Sequence, residues 1–300
     1  MPIFAAFVLV VLIWSTTPLG IVWSSETIRP TLSLLLRMTL AILVGLPLLR
    51  LLNIKLDWRP KAIKVYLYSS MSLAMGMLFC YLAAAYISSG LMSLTFGMAP
   101  ILSGIFATKI LNEPKFSNVK KLALAISFVG LFIVSQENIS LGEHTWLGMC
   151  FVFAAVILFS LSSVLVKSVG IQLHPLSTTV GSLMVSWPLF LLFWLVVDGR
   201  IDYSSWEMRS VLTTGYLAIF GSLVGFWAYF YMLKQLPAST VSLVVMITPI
   251  LATGIGIWAN DEFFSLTLLF GGALVVFGLG LFQLGHKLFK PMEKLPEITN

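Results

Sequence analysis

Arg37, in the run LLLRMTLA, is the one formal charge set well inside an apolar stretch of this chain. A guanidinium stays charged in proteins and presents a fork of N–H donors that matches a carboxylate or phosphate. Placing it in lipid costs at least about 2.5–3.5 kcal/mol on insertion scales, so its position asks for a reason. One reason is a cavity-facing cation that pairs with an anionic group of a solute. The others are snorkelling toward the headgroups, since Arg37 lies about a turn and a half from the start of its span, and hydrogen bonding to carbonyls.

Uncharged groups supply the remaining candidates. Trp14, Ser15, Thr16 and Thr17 cluster deep in the first apolar run, and Ser160, Ser162 and Ser163 occupy the comparable part of the sixth. Tyr81, Thr95, Met98, Trp187, Trp227, Tyr229 and Thr248 lie in other runs. Hydroxyls and indole N–H groups can orient a small ligand while aromatic faces bind its apolar part. Each can equally bond its own helix or sit at the headgroups. The substrate-binding candidates are therefore Trp14, Ser15, Thr17, Arg37, Tyr81, Thr95, Met98, Ser160, Ser163, Trp187, Trp227, Tyr229 and Thr248. Pro100 and Pro249 are hinge or pathway candidates, because a mid-span proline removes a donor and frees a carbonyl one turn earlier.

Other chemistry is missing from the pattern. No Asp or Glu occupies the middle of an apolar run, which disfavours a proton-coupled exporter of cationic drugs and suits zwitterionic, neutral or anionic solutes. Cys80 and Cys150 sit in apolar runs and read as buried, inert thiols, and His144, His174 and His286 are isolated. No catalytic set, metal site or cofactor is expected. A membrane-embedded enzyme would show acidic pairs or histidines near the interface, and a channel a charged ring or filter-like segment.

Composition fixes the solvent. Hydrophobic residues make up 59% of the sequence and charged residues 10%, against about 25% charged in soluble domains. The formal charge of +6 lies in short loops between apolar runs, a mark of membrane topology and not of nucleic-acid binding. Ten runs are long enough to span hydrocarbon: 3–23, 32–52, 64–86, 89–110, 119–136, 146–167, 176–197, 211–233, 238–259 and 266–285. The first reads as a retained helix, since it is too long for a signal-peptide core. With the N-terminus cytoplasmic, the inside segments hold fourteen basic residues, from Arg50 to Lys294, whereas the outside loops hold only Arg29, Arg200 and Arg209. Both ends are thus expected in the cytoplasm.

The chain also repeats itself. Residues 81–113 are echoed by 230–262 at a constant shift of 149, which carries Pro100 onto Pro249 and Glu113 onto Glu262. Five spans per half reverse the second half in the membrane. The expected fold is all-α and polytopic: ten transmembrane helices in two inverted five-helix repeats, 1–138 and 139–286, with a cytoplasmic tail over 287–300. Such halves can exchange inward-open and outward-open states around a shared site. Gly90, Gly97 and Gly104, and the glycines Gly271, Gly272, Gly278 and Gly280, read as faces for close helix packing.

The early tryptophan of LIWSTTPLG, the arginine of LLLRMTLA and the paired blocks APILSGIFATKILNEP and TPILATGIGIWANDEF resemble the EamA-type branch of the drug/metabolite transporter superfamily over nearly the whole chain. That resemblance implies a carrier of small solutes in the bacterial inner membrane. It further implies a central cavity lined mainly by helices one to four and six to nine, with five and ten peripheral. Trp14, Arg37, Pro100 and Pro249 match family positions, and the first helix lacks the glutamate of the small multidrug exporters. The expected function is export of a small organic metabolite, an amino acid or related solute, by alternating access. A nucleotide-sugar, phosphate-ester or drug carrier of the same architecture is the alternative. The expected partners are a small-molecule substrate and the lipid bilayer, with no nucleic acid, in a monomer or homodimer.

Overall fold

Apolar runs cut by short polar breaks fold as long helices in the computed structural model, which describes residues 2–113, 116–141, 144–236, 241, 244–260 and 265–288. The helices are α1 (Ile3–Ser24), α2 (Pro30–Leu51), α3 (Pro60–Ala83), α4 (Ser89–Ile110) and α5 (Asn118–Leu141). They continue with α6 (Thr145–Ser168), α7 (Pro175–Val197), α8 (Met208–Gln235), α9 (Val244–Asn260) and α10 (Leu266–Leu288). No strand occurs among the described residues. Among the described residues seven helices, α1 to α4 and α6 to α8, are long and apolar enough to cross a membrane. The described parts of α9 and α10 form shorter apolar helices, 247–260 and 266–282.

The breaks follow local chemistry. Pro30, Pro60 and Pro175 open α2, α3 and α7, where a missing N–H costs nothing and φ is already helical. Gly199, with φ of 59°, ends α7 by donating its N–H to the Trp194 carbonyl at 2.7 Å, a left-handed cap that glycine adopts without strain.

Three features depart from the expected plan. Pro100 does not kink a continuous helix: α4 breaks after Phe96, and Pro100 sits in the first turn of a second piece, Ala99–Ile110. Pro249 does lie inside its helix, so the paired prolines shape their spans differently. Second, α3 and α8 each contain a π-helical stretch, Met71–Gly76 and Leu217–Val224. The 149-residue shift carries 71–76 onto 220–225, so the two stretches nearly coincide in the repeat. Third, Cys150 is exposed where a buried thiol was expected, because it falls on the outward face of α6; the Glu262 end of the second repeat block lies outside the described residues.

The outer surface is apolar. Phe4, Val196, Trp258, Leu266 and Phe277 are exposed, a contiguous cost in water that vanishes when lipid covers the helices. At one edge α5 and α10 pack on each other more extensively than any other pair, and glycine makes it possible. A Cβ on Gly130 would lie 2.6 Å from the Gly271 carbonyl oxygen, and one on Gly278 would lie 2.8 Å from the Ala123 carbonyl. Both obstacles are backbone, which cannot swing aside. Gly130→Val is therefore expected to cost at least about 2 kcal/mol by overpacking and to lower Tm. Gly254→Val, at an open position, should leave Tm nearly unchanged.

Candidate functional site

A cavity of about 120 Å³ lies at the centre of the helices. On α1, Trp14, Thr17, Pro18 and Ile21 line it, a spacing of three and four that places one helical stripe on the space. Met77 and Cys80 come from α3; Met92, Ser93, Phe96, Ala99 and Ser103 from α4; and Phe159, Ser160 and Ser163 from α6. Phe226 and Tyr229 of α8, Thr248 of α9 and the preceding Val241 close it. None of these residues is formally charged, and none comes from α5 or α10.

The lining follows the duplication. Met77 and Phe226, Cys80 and Tyr229, Met92 and Val241, Ala99 and Thr248 are four pairs of lining residues, each separated by 149 positions. Trp14 and Thr17 stand to Ser160 and Ser163 at a shift of 146. Residues related by these shifts thus face one space.

Aromatic rings form much of the wall. The Trp14 ring lies 5.9 Å from Phe226 and 5.2 Å from Tyr229, and Phe96 meets Phe159 edge-on at 5.5 Å. Several hydroxyls are already engaged. Thr17 Oγ1 donates to the Ile13 carbonyl at 2.8 Å, Ser163 Oγ to the Ser160 carbonyl at 2.8 Å and Ser160 Oγ to the Ala99 carbonyl at 3.2 Å. Each hydroxyl oxygen keeps acceptor capacity after donating.

Of the sequence candidates, Trp14, Thr17, Ser160, Ser163, Tyr229 and Thr248 meet in this cavity. The others lie elsewhere. Ser15 Oγ donates to the Val11 carbonyl at 2.7 Å, and Thr95 Oγ1 to the Leu91 carbonyl at 2.9 Å. Met98 belongs to a separate apolar cluster with Ile101 and Leu279. Trp187 Nε1 donates to Thr39 Oγ1 at 2.9 Å, and Trp227 packs beside Leu49, Leu176 and Leu223. Pro100 and Pro249 are buried without lining the space. Phe96, Phe159, Phe226, Met77 and Met92 line it unforeseen. The repeat shift applied to α3 and α8, or the helical stripe continued from Trp14, would have found several of them.

Arg37 is fully buried and does not snorkel. Its Nε donates to Ser222 Oγ at 2.8 Å, its guanidinium carbon lies 6.0 Å from the centroid of the Tyr81 ring, and neither Nη has a partner. The ion pairs among the described residues join Arg29 to Asp198, Arg59 to Asp57 and Arg209 to Glu26, so no carboxylate neutralises Arg37. A desolvated, unpaired cation of this kind costs several kcal/mol.

Different chemistry joins the helices at the two ends of the bundle. At one end, residues around α1 and α2 meet those around α7, α8 and α9. Arg29 pairs with Asp198 at 2.7 Å and Arg209 with Glu26 at 2.5 Å, while Thr31 also bonds Asp198. Trp23 Nε1 donates to Asn260 Oδ1 at 2.8 Å, and the hydroxyls of Ser33 and Thr214 lie 3.3 Å apart. At the other end, Tyr66 bonds Ser177 at 3.2 Å and Ser72 bonds Ser162 at 3.1 Å, beside the apolar cluster of Leu49, Leu176, Val180 and Leu223. In the Arg29–Asp198 and Arg209–Glu26 pairs the arginines are exposed, whereas the Asp198 carboxylate is buried and that of Glu26 is half-buried.

Comparison with known proteins agrees with this architecture. The model of the EamA-like transporter family matches residues 1–136 and 146–283. An uncharacterized transporter of Clostridium kluyveri is 27% identical over 219 residues, covering 70% of this chain and 67% of its own. The uncharacterized transporter YoaV of Bacillus subtilis is 23% identical, with coverage of 90% and 92%. The uncharacterized inner membrane transporter YedA of Escherichia coli is 22% identical, with coverage of 96% and 93%. A solved crystal structure matches 96% of this chain and 98% of its own with a TM-score of 0.65 at 16% identity, a likeness of fold.

Proposed function

We propose that this chain, which belongs to the EamA-like transporter family, is a secondary carrier that exports a small organic metabolite, an amino acid or related solute, by alternating access. Family and relatives indicate a transporter and not an enzyme, in a multi-pass inner-membrane protein. The observation that carries the mechanism is the cavity wall built from repeat-equivalent pairs, Met77 with Phe226, Cys80 with Tyr229, Met92 with Val241 and Ala99 with Thr248. When two related halves face one site in opposite orientations, exchanging their conformations moves the opening from one side of the membrane to the other. The ten-span inverted plan, with both termini cytoplasmic, accounts for that pairing and for the basic residues gathered on one side.

The cavity sets the kind of cargo. At about 120 Å³ it is smaller than the roughly 300–1,000 Å³ of sites for drug-sized ligands, which favours a compact metabolite over a nucleotide-sugar. Aromatic faces and serine or threonine oxygens suit a solute with an apolar part and a few polar groups. The nearby buried Arg37 makes the region unfavourable for a net cation.

Reconstitution tests this reading. Proteoliposomes containing the protein should show saturable exchange of at least one amino acid or related metabolite above protein-free vesicles. Leak rates alone across a broad amino-acid and organic-acid panel would overturn the substrate class.

A further inference from the structure

We propose that Arg37 is the docking charge for a carboxylate of the transported solute, an inference that rests on the carrier reading above and narrows its substrate class. The guanidinium is fully buried, its Nε is held by Ser222, and both Nη groups lack a partner. Those two nitrogens are the fork that takes a carboxylate through parallel N–H···O bonds. Arginine cannot shed its charge to relieve the burial, and the three ion pairs of the described residues leave it out. A ligand anion is the partner that the fold itself does not provide.

The placement links the fork to the pathway. Tyr81, whose ring lies beside the guanidinium and whose hydroxyl is also buried without a partner, directly follows Cys80 of the cavity wall. On the other side, Ser222 and Gly221 belong to the π-helical stretch of α8, one turn before the lining residue Phe226. A Cβ on Gly221 would lie 3.0 Å from Nη2, so the backbone of that stretch rests against the fork. Arg37 therefore stands between two helices that each carry a π stretch followed by cavity residues. π stretches are irregular windings often found at functional sites. Arg37 and Tyr81 do not line the cavity, so docking requires one of these stretches to rewind and turn the fork toward the wall. The neutral aromatic chamber then holds the rest of the solute.

The test compares matched ligands on the purified full-length protein. Threonine, leucine and phenylalanine are each measured against the corresponding carboxamide and decarboxylated amine, by ligand-induced rise in Tm. At least one acid should stabilise the wild type, with its amide and amine binding at least about tenfold more weakly, the loss of a charge-assisted pair. Arg37→Gln should erase that preference, and Arg37→Lys should keep part of it. Amides that stabilise the wild type as well as the acids would overturn the inference, as would a folded Arg37→Gln protein with the preference intact. The wild-type comparison decides the matter even if the variant does not fold. If exchange occurs in proteoliposomes but only for solutes without a carboxylate, the carrier survives and the role of Arg37 falls. If no solute exchanges at all, both fall.

Discussion

Ala99→Phe is expected to cut solute exchange at least about tenfold while leaving Tm unchanged or raised. Ala99 lines the cavity from the second piece of α4, beside Phe96 and Ser103. A phenyl ring there occupies much of a space of about 120 Å³. Because the ring enters an existing void, it gains apolar contacts and displaces little. Thr248→Phe, at the repeat-equivalent wall position, should do the same from the other half. Leu192→Phe, on the exposed apolar surface, is the control and should transport normally. Full exchange with the cavity filled from either side would show that the solute takes another route.

Cross-linking Ser33 to Thr214 should have a comparably large and reversible effect. Their hydroxyl oxygens lie 3.3 Å apart between α2 and α8, at the end joined by the Arg29–Asp198 and Arg209–Glu26 pairs. Cysteine side chains there need only a small adjustment to reach disulfide length. In a background carrying Cys80→Ser and Cys150→Ala, oxidised Ser33→Cys/Thr214→Cys protein should lose at least about 90% of its exchange, because a carrier that cannot open one end completes no cycle. A reductant should restore it. Unchanged exchange after complete cross-linking would mean that this end does not open.

Much of this architecture is legible in the amino-acid sequence. The long apolar runs and the proline and glycine punctuation gave the helices, because lipid forces every backbone polar group into an internal bond. Recurrent glycines announced close packing, though not that Gly130 of α5 would meet Gly271 of α10 backbone to backbone. The site was half legible. Thr17 and Ser15 look alike in sequence and both donate to a carbonyl of their own helix, yet helical phase turns only Thr17 to the cavity. Phe96 and Phe159 were missed because an apolar ring on a cavity wall has the same sequence signature as one facing lipid or core. The π stretches of α3 and α8 carry no residue signal, since they arise from how one turn accommodates its neighbours. Arg37 stood out as a charge out of place, but that no ion pair among the described residues includes it required the fold.

The proposed alternating access requires one chamber that opens in turn to each face of the membrane. The most direct measurement is labelling of a single cysteine at Ser160, on the cavity wall, with a membrane-impermeant maleimide. It is applied separately to right-side-out and inside-out vesicles of a variant carrying Ser160→Cys, Cys80→Ser and Cys150→Ala. Alternating access predicts labelling from both faces, slowed in each case by the transported solute. Labelling from one face alone, with the solute present or absent, would contradict it.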